Sequence, residues 1–314
     1  MTEQLGAAIR ERYACKAFLP DAVPDKTLRE ILKLTQRAPS GFNTQAYVCV
    51  LVRAAESREK LAEAMLDKNG RKVKEAPVVV VFAADCEPSK SVPRMQQLNR
   101  DNGAPEEFSF LPDPVPDETL REILKLTQRA PTGFNTQAYV CIVLRSAEDR
   151  EKLAGAMMDA NAVKVKGAPV AVVFAADCEP SKNVPRMQQL NRDNGAPDAF
   201  VNQIPPLVEL FSGEHDPNVS TEAWAYKQTT FAAATFLYAA QVHGLATCPM
   251  EGLDQAKVKQ ALDIPDRYSI PVVVALGHAN PEAKPAKPSV RFPPSEIFFD
   301  GKFGQSLEKF FEEK

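Results

Sequence analysis

The first strong pattern along the chain is helical. Apolar residues recur at three- and four-residue spacing directly after Pro24, where Asp25 is a typical N-cap residue. The residues on this single face are Leu28, Ile31, Leu32 and Thr35. The helix is expected to end before Pro39, because proline cannot continue it.

Two runs rich in β-branched residues, at 47–53 and 77–85, predict strands. Continuous apolar runs of this kind are typical of the middle of a sheet that is covered on both faces. A short helix near 56–68 is predicted between them. Since two strands and two helices cannot enclose a sheet by themselves, this segment needs further elements from elsewhere in the chain.

The C-terminal half supplies such elements. Residues 221–243 predict a long helix that is apolar nearly all round, ending at Gly244, and residues 270–279 predict a third strand. A helix that is apolar on all sides is expected in the centre of the fold. The remaining predictions are a short helix at 1–11, a loop or lid at 201–220, and an extended, proline-rich tail at 281–299.

The chain repeats one of its own segments. Residues 18–108 align without a gap to residues 110–200, and 73 of the 91 pairs are identical. A period this long with only two copies is not a solenoid repeat. We call these segments copy one (18–108) and copy two (110–200) and interpret them as a segmental duplication.

The composition indicates the broad class of protein to which the chain belongs. The chain has 314 residues, 44% hydrophobic and 25% charged, with a net charge of −3, which indicates a globular protein without a nucleic-acid or membrane footprint. The N-terminus is charged almost at once and has no apolar signal core, so a cytoplasmic location is expected. The six cysteines form no CxxC pair and are expected to be free thiols.

The common catalytic signatures are absent from the sequence. There is no GxGxxG, no phosphate-binding GxxxxGK[ST] and no GxSxG. The three histidines are scattered and lack the spacing of metal ligands, so no metal site is expected. No side chain is identified as a nucleophile or a general base, which favours a cofactor that carries its own chemistry.

Four segments are informative when they are taken together. In chain order they are RYACKAF at 12–18, APSGFNTQ at 38–45 with an N-x-x-K pair at 69–72, the long helix with CPMEGLD at 248–254, and LGHAN at 276–280. Each is unremarkable alone. Together they resemble the nitroreductase family, over nearly the whole chain except one redundant copy. The most specific stretch is the helix followed by Gly-Leu-Ala-Thr and Pro-Met-Glu-Gly.

The resemblance implies an α+β, nitroreductase-like fold, in which a central mixed sheet is surrounded by helices, here with one redundant duplicated segment. It also implies an intertwined homodimer with FMN at the dimer interface. NAD(P)H is implied as the co-substrate and a nitroaromatic, quinone or similar electron-poor small molecule as the acceptor, reduced by ping-pong hydride transfer. No nucleic acid or membrane partner is expected.

The resemblance also implies which residues bind the cofactor; no catalytic side chain is implied, because the flavin carries the chemistry. Carried over residue by residue, they are Arg12 and Lys16; Pro39, Ser40 and Asn43, or Pro131, Thr132 and Asn135; Asn69 and Lys72, or Asn161 and Lys164; Gln228; Pro249, Met250, Glu251 and Gly252; and Arg291. Two positions depart from the family pattern: Ala14 stands where a hydroxyl residue is usual, and Ser289 where a lysine is usual. Tyr13, Phe200 and Phe211 are further candidates for stacking walls.

The duplication leaves two arrangements open. In the first, residues 1–17 form a flavin-binding arm, 18–108 a displaced partial unit, and 110–314 the main domain; in the second, copy one lies in the core and copy two is looped out.

Two function classes also stay open. One is an active oxidoreductase; the other is a non-catalytic flavin-binding or interaction protein disabled by the duplication.

Overall fold

A computed structural model describes residues 2–15, 17–66, 69–101, 109–213, 220–283 and 289–312. Its elements are named here in chain order. The helices are α1 (Thr2–Glu11), α2 (Asp25–Thr35), α3 (Ala55–Glu63), α4 (Asn69–Glu75), α5 (Val92–Asp101), α6 (Asp117–Thr127), α7 (Ala147–Ala154), α8 (Asp159–Gly167), α9 (Val184–Asp193), α10 (Asp198–Val201), α11 (Ile204–Ser212), α12 (Thr221–Val242), α13 (Gln255–Ala261), α14 (Pro294–Ile297) and α15 (Glu308–Glu312). The strands are β1 (Tyr47–Val52), β2 (Val79–Ala84), β3 (Phe110–Leu111), β4 (Tyr139–Leu144), β5 (Val170–Asp177), β6 (Ala246–Met250), β7 (Tyr268–Ala279) and β8 (Phe298–Asp300).

The chain divides into two compact units. Unit 1 comprises Met1–Arg12 and Pro105–Lys284, and unit 2 comprises Tyr13–Ala104 and Pro285–Lys314. Copy two therefore folds with helix α1 and the C-terminal half, while copy one folds with the C-terminal segment. The sequence grouped that segment with 110–284, because chain order alone does not show which copy it contacts.

The sheet of unit 1 is antiparallel, with the strand order β3-β7-β5-β4, and β6 also pairs with β7. Strand β5 lies in the middle, and each of its residues is buried. Helices α6 and α12 pack on one face of this sheet, where Phe174 contacts Phe236 edge-on with ring centroids 5.6 Å apart. Residues of α7, α8 and α13 cover the opposite face. This two-sided burial agrees with the continuous apolar run that predicted the strand.

Helix α12 confirms the long helix predicted at 221–243. The Ser220 hydroxyl accepts a hydrogen bond from the backbone N–H of Ala223 at 3.3 Å and caps the first turn. The helix ends where Gly244 adopts a positive φ of 70°, a conformation that glycine adopts without strain. Among the described residues, no helix combines the length and the apolar character that crossing a membrane requires.

The sheet of unit 2 has three strands in the order β2-β1-β8. Strand β1 pairs with β2 antiparallel and with β8 parallel, so that Cys49 lies opposite Phe298. The core of this unit joins copy one to the C-terminal segment; its buried members are Leu28, Leu32, Cys49, Leu51, Met95, Phe292, Ile297, Phe298, Leu307 and Phe310. The segment thus supplies the apolar cover that copy one cannot provide alone.

The local structure differs at six places from what the sequence led us to expect. Pro24, not Asp25, is the N-cap of α2, and Ile31 is exposed rather than on the buried face. The helix predicted near 56–68 ends at Glu63. Residues 204–212, predicted as a loop, form α11, because prolines at the start of a helix have no N–H to lose. Residues 246–250, predicted partly as a loop, form β6, and the tail contains α14 and β8.

One glycine is fixed by close packing. A Cβ on Gly277, in β7, would lie 2.5 Å from Cδ of Pro169, a ring that cannot rotate away. Gly277→Ala is therefore expected to lower the free energy of unfolding by about 1–3 kcal/mol, as overpacked cores do. Gly167→Ala is the control, because a Cβ there would meet nothing within 4 Å. Urea unfolding of both variants measures the difference, and an unchanged Gly277→Ala would contradict the packing.

Candidate functional site

The residues that the sequence singled out fall into two sets. The set in unit 1 is Arg12, Pro131, Thr132, Asn135, Asn161, Lys164, Gln228, Pro249, Met250, Glu251 and Gly252. The set in unit 2 is Pro39, Ser40, Asn43, Asn69, Lys72 and Arg291. Lys16 lies outside the described residues.

In unit 1 the end of strand β6 is fastened to helix α8. The carbonyl oxygen of Gly252 accepts two hydrogen bonds, from the backbone N–H of Met158 at 3.0 Å and from Nδ2 of Asn161 at 3.1 Å. A Cβ on Gly252 would lie 2.8 Å from Asn161 Nδ2 and from Met158 Sδ. A side chain at this position would displace Asn161 or Met158, so the glycine allows Asn161 to lie against the Pro-Met-Glu-Gly segment.

Lys164 lies one helical turn beyond Asn161 on α8 and is half-buried. Within the described ranges it forms no ion pair with an acidic side chain. It lies close enough to Cys248 to act on that thiol: burial raises the pKa of Cys248, and the positive charge of Lys164 opposes the increase. The Lys164 ammonium thus lies near Cys248 of β6 without an acidic partner in the described ranges, and it is available to an anionic ligand.

The Pro-Thr-Gly-Phe-Asn segment of copy two is held against helix α12. The backbone N–H of Gly133 donates to Oε1 of Gln228 at 2.8 Å, and Nε2 of Gln228 donates to the carbonyl oxygen of Trp224 at 3.3 Å. Gln228 is only 3% exposed. Both ends of its amide are therefore engaged within the protein, so in this structure Gln228 positions the loop.

The same segment has an unusual backbone. Phe134, Asn135 and Gln137 have positive φ angles of 52°, 58° and 46°. Non-glycine residues adopt this region rarely, and a run of them is maintained only where the surroundings stabilise it. The hydroxyl of Thr132 contributes by accepting a hydrogen bond from the backbone N–H of Gln137 at 3.0 Å.

The four remaining members of the unit 1 set are Arg12, Pro249, Met250 and Glu251. Arg12 donates to the carbonyl oxygen of Arg129 at 3.4 Å, just before Pro131, and its side chain is exposed. Pro249 and Glu251 are exposed and Met250 is buried. Unit 1 therefore brings the end of β6 together with Asn161 and Lys164, and the Pro131–Asn135 segment together with Gln228.

In unit 2 the corresponding residues of copy one make different contacts. Lys72 donates to Oδ1 of Asn69 at 2.8 Å, whereas Asn161 in copy two bonds to Gly252. Asn43 donates to the carbonyl oxygen of Val290 at 2.7 Å. Arg291 donates to three carbonyl oxygens at the end of α2, those of Gln36, Arg37 and Ala38. Its role as a phosphate ligand stays a prediction.

Sequence reasoning missed two residues of the site. Met158 borders Gly252, and Trp224 lies 3.1 Å from the position a Cβ would take on Gly133. Met158 is adjacent to the start of α8, and Trp224 lies one turn before Gln228, so helical spacing from the known motifs would have found both. Among the predicted stacking walls, Phe211 packs on Phe134 with ring centroids 5.5 Å apart, while Tyr13 and Phe200 are exposed.

The contact between Gln228 and Gly133 is testable. Gln228→Ala leaves a part-buried backbone N–H without its partner, which is expected to lower the free energy of unfolding by about 1–3 kcal/mol. Thr230→Ala is a control on an exposed face of the same helix, with an expected change within about 0.5 kcal/mol. Both are measured by urea unfolding followed by far-UV circular dichroism. Equal stability of Gln228→Ala and the unmodified chain would contradict the positioning role.

Comparisons with known proteins agree on one family. The sequence profile described as the Nitroreductase family matches residues 9–104 and 109–278, so that all of copy two and all but the last four residues of copy one fall within a match. A Streptomyces griseus protein with the provisional name NADH dehydrogenase/NAD(P)H nitroreductase is 31% identical over 59% of this chain and 86% of its own length. The NADH dehydrogenase of Thermus thermophilus is 29% identical over 55% of this chain and 82% of its own length.

The fold is also shared with solved structures. The nitroreductase family protein from Streptococcus pneumoniae superposes with a TM-score of 0.54 at 21% identity, covering 64% of this chain and 97% of that one. A provisionally named nitroreductase from Exiguobacterium sibiricum, solved in complex with FMN, gives a TM-score of 0.53 at 19% identity, covering 63% of this chain and 93% of that one. These likenesses confirm the predicted α+β, nitroreductase-like fold.

Proposed function

The chain belongs to the nitroreductase family, and we propose on that basis that it is an FMN-dependent oxidoreductase that uses NAD(P)H to reduce a small, electron-poor acceptor. The relatives named NADH dehydrogenase or NAD(P)H nitroreductase support the nicotinamide donor, and a fold neighbour bound to FMN supports the flavin. Bound FMN would supply the hydride-transfer chemistry between the nicotinamide and the acceptor.

The single observation that carries this proposal is Lys164 near Cys248 of β6. A half-buried ammonium without an acidic partner is suited to an anionic or electron-rich group, and the flavin mononucleotide offers both a phosphate and a polar ring edge. Gly252 leaves space where any side chain would contact Asn161. The residues present therefore fit the cofactor.

The chain's own residues would hold and orient the cofactor. Asn161 fixes the backbone of Gly252, and through it the Pro249–Gly252 segment that would face the flavin ring. Lys164 would stabilise negative charge on the bound cofactor, because its field is not neutralised by a neighbouring carboxylate. Arg12 would contribute a second positive charge, and Gln228 would keep the Pro131–Asn135 segment in place.

We also propose the finer details that the family resemblance implied. The acceptors are nitroaromatics, quinones or similar compounds, the kinetics are ping-pong, and the protein forms a homodimer. Copy two together with the C-terminal half is proposed as the cofactor-binding domain, since the residues around Lys164, Gly252 and Gln228 belong to unit 1.

A second candidate function is a non-catalytic flavin-binding or interaction protein. It is favoured by Ala14, which lacks the hydroxyl usual at that position, and by the additional copy. The two candidates differ in turnover. An active enzyme oxidises NAD(P)H only when an acceptor is supplied, with parallel double-reciprocal plots, whereas a binder retains FMN without turnover.

The decisive experiment is the visible spectrum of the purified protein, with the released chromophore identified and counted per chain. About one FMN per chain and acceptor-dependent oxidation of NADH or NADPH are the expected results. FMN without turnover would favour the non-catalytic candidate. Protein that is colourless and fails to take up added FMN would overturn the enzyme and favour a non-catalytic interaction protein disabled by the duplication.

A further inference from the structure

Copy one carries an apolar face that is open in the described structure. Phe82, on β2, is 63% exposed, and Ile31, on α2, is 50% exposed. Their equivalents in copy two, Phe174 and Ile123, are both 0% exposed, because they lie in the core that includes α12. The residues are the same in the two copies, so the difference in burial arises from what covers them.

The residues that bury α12 in copy two are all present in copy one. Copy two contributes eight buried residues to the core that includes α12, and each has an equivalent of the same type in copy one. In copy two they are Val115, Leu120, Ile123, Leu126, Ala130, Val170, Val172 and Phe174, and in copy one they are Val23, Leu28, Ile31, Leu34, Ala38, Val78, Val80 and Phe82.

Where the paired strands differ, the differences nearly cancel in volume. Leu144 of β4 lies opposite Ala171 of β5, and at the equivalent place Val52 of β1 lies opposite Val79 of β2. Cores tolerate swaps of apolar residues best when the total volume is conserved. The strands of copy one are therefore suited to the same cover as those of copy two.

The polar groups that fasten copy two to the C-terminal half are also retained in copy one. Asp177 is 1% exposed and accepts a hydrogen bond from Arg267 at 3.2 Å, while the N–H of Cys178 donates to the carbonyl oxygen of Arg267 at 3.0 Å. Copy one has Asp85 and Cys86 at these two positions, and both are exposed. The acceptor and the donor for an arginine such as Arg267 are thus present on copy one.

Strand β2 also has the free edge that a further strand would need. Strand β5 pairs with β4 on one side and with β7 on the other. Its equivalent β2 is the last strand in the order β2-β1-β8 and, among the described strands, pairs only with β1. The unpaired backbone groups of such an edge are a ready template for another strand.

We propose that residues 204–279, which contain α11, α12, α13, β6 and β7, switch between the two copies of the same chain. In the described conformation they pack on copy two. In the switched conformation they pack on copy one, and copy two is uncovered. The chain has two nearly identical faces but only one such segment, so the two copies compete for it.

Two physical arguments make the switched conformation accessible. The apolar surface that becomes buried has nearly the same residues as the surface that becomes exposed, so the hydrophobic stabilisation is nearly equal in the two conformations. The connection from copy one to residue 204 then spans the whole of copy two, and closing a long loop costs little more than closing a medium one. The switch requires unit 1 to open globally, so it is expected to be slow.

The switch would change the cofactor site without changing its residue types. On copy one, Asn69 would take the place of Asn161 against Gly252, and Lys72 the place of Lys164. The chain would then hold two alternative cofactor sites that share one C-terminal half. This consequence rests on the proposed function, whereas the switch itself requires neither FMN nor turnover.

Two aspartate substitutions test the switch in the full-length chain. Phe174→Asp places an unpaired carboxylate at a position that is 0% exposed, which is strongly unfavourable. Packing on copy one avoids this cost, so residues 204–279 should remain folded there. Phe82→Asp is the matched control, because Phe82 is exposed in the described conformation; this variant should keep the packing of the unmodified chain.

Hydrogen–deuterium exchange measured by mass spectrometry shows which copy is covered. It distinguishes the two strands by mass, because Val79 in β2 stands where Ala171 stands in β5. In Phe174→Asp the amides of β2 should exchange more slowly by on the order of a hundredfold, those of β5 should exchange faster, and α12 should stay protected. In the double variant Phe82→Asp/Phe174→Asp both faces are blocked, and α12 should lose its protection.

Three outcomes would overturn the proposal. The first is loss of protection in α12 that is as large in Phe174→Asp as in the double variant. The second is a Phe174→Asp protein in which β2 gains no protection. The third is sedimentation of Phe174→Asp as larger species than the unmodified chain, since that would place the segment on another chain. FMN enters none of these readouts, so failure of the purified protein to bind FMN would count against the proposed function alone.

Discussion

Replacing Phe174 by alanine is expected to lower the free energy of unfolding by about 3–5 kcal/mol, the usual effect of removing a buried aromatic ring. Phe174 is 0% exposed, in the central strand β5, and packs against Phe236 of α12. Removing the ring leaves a cavity that the neighbouring strands cannot fill, because β5 is hydrogen-bonded on both sides.

The chain contains its own control for this substitution. Phe82 occupies the equivalent position in copy one, within an almost identical strand, but is 63% exposed. Phe82→Ala is therefore expected to change the free energy of unfolding by less than about 1 kcal/mol. Urea unfolding, monitored at several wavelengths to separate the two units, gives both values. A larger effect of Phe82→Ala than of Phe174→Ala would show that copy one occupies the main core.

Replacing Lys164 by alanine is expected to weaken FMN binding by about tenfold to a hundredfold, which corresponds to the loss of one charge-assisted hydrogen bond. The reason is the absence of an acidic partner for Lys164 in the described structure, so that its charge is available to a ligand. The rate of acceptor reduction at saturating FMN should decrease as well, since the same charge would stabilise negative charge on the bound cofactor.

Lys72→Ala is the matched control for Lys164→Ala. Lys72 occupies the equivalent position in copy one, where its ammonium donates to Asn69. FMN affinity is measured by quenching of flavin fluorescence during titration of the apoprotein, and thermal unfolding verifies that both variants are folded. The proposal expects Lys72→Ala to bind FMN within about twofold of the unmodified chain, as for a side chain remote from the ligand. If Lys72→Ala were the weaker binder, the cofactor site would have to be assigned to copy one.

Much of the local structure could be predicted from residue patterns. The long helix at 221–243 and the strands at 47–53, 77–85 and 270–279 were found within a few residues, because each is a long apolar run bounded by turn residues. The strand β6 was not predicted from the sequence. Proline is tolerated there because Pro249 is exposed and, among the described strands, β6 pairs only with β7.

The candidate site was predicted as a list of residues rather than as an arrangement. Motifs named Asn161, Lys164 and Gly252, but no pattern in the sequence could show that Asn161 bonds to the carbonyl of Gly252, which lies 91 residues away. The motifs also identified Gln228, but they did not identify its partner. Gln228 accepts a hydrogen bond from the backbone N–H of Gly133. Contacts of this range depend on the packing of α8 and α12, which local periodicity does not specify.

The duplication separates local from tertiary information directly. Copies one and two form the same elements: α2 and α6 each have 11 residues, and the loops after them place Phe42 and Phe134 at nearly equal positive φ angles of 49° and 52°. Burial, in contrast, differs between identical residues, since Leu34 is 71% exposed and its equivalent Leu126 is 2% exposed. The sequence by itself determined helices, strands and loop conformations, because these follow from short-range sterics and hydrogen bonding. Only the tertiary structure decided which copy is covered by α12 and β7 and which by the C-terminal segment, because burial depends on distant partners that are present only once.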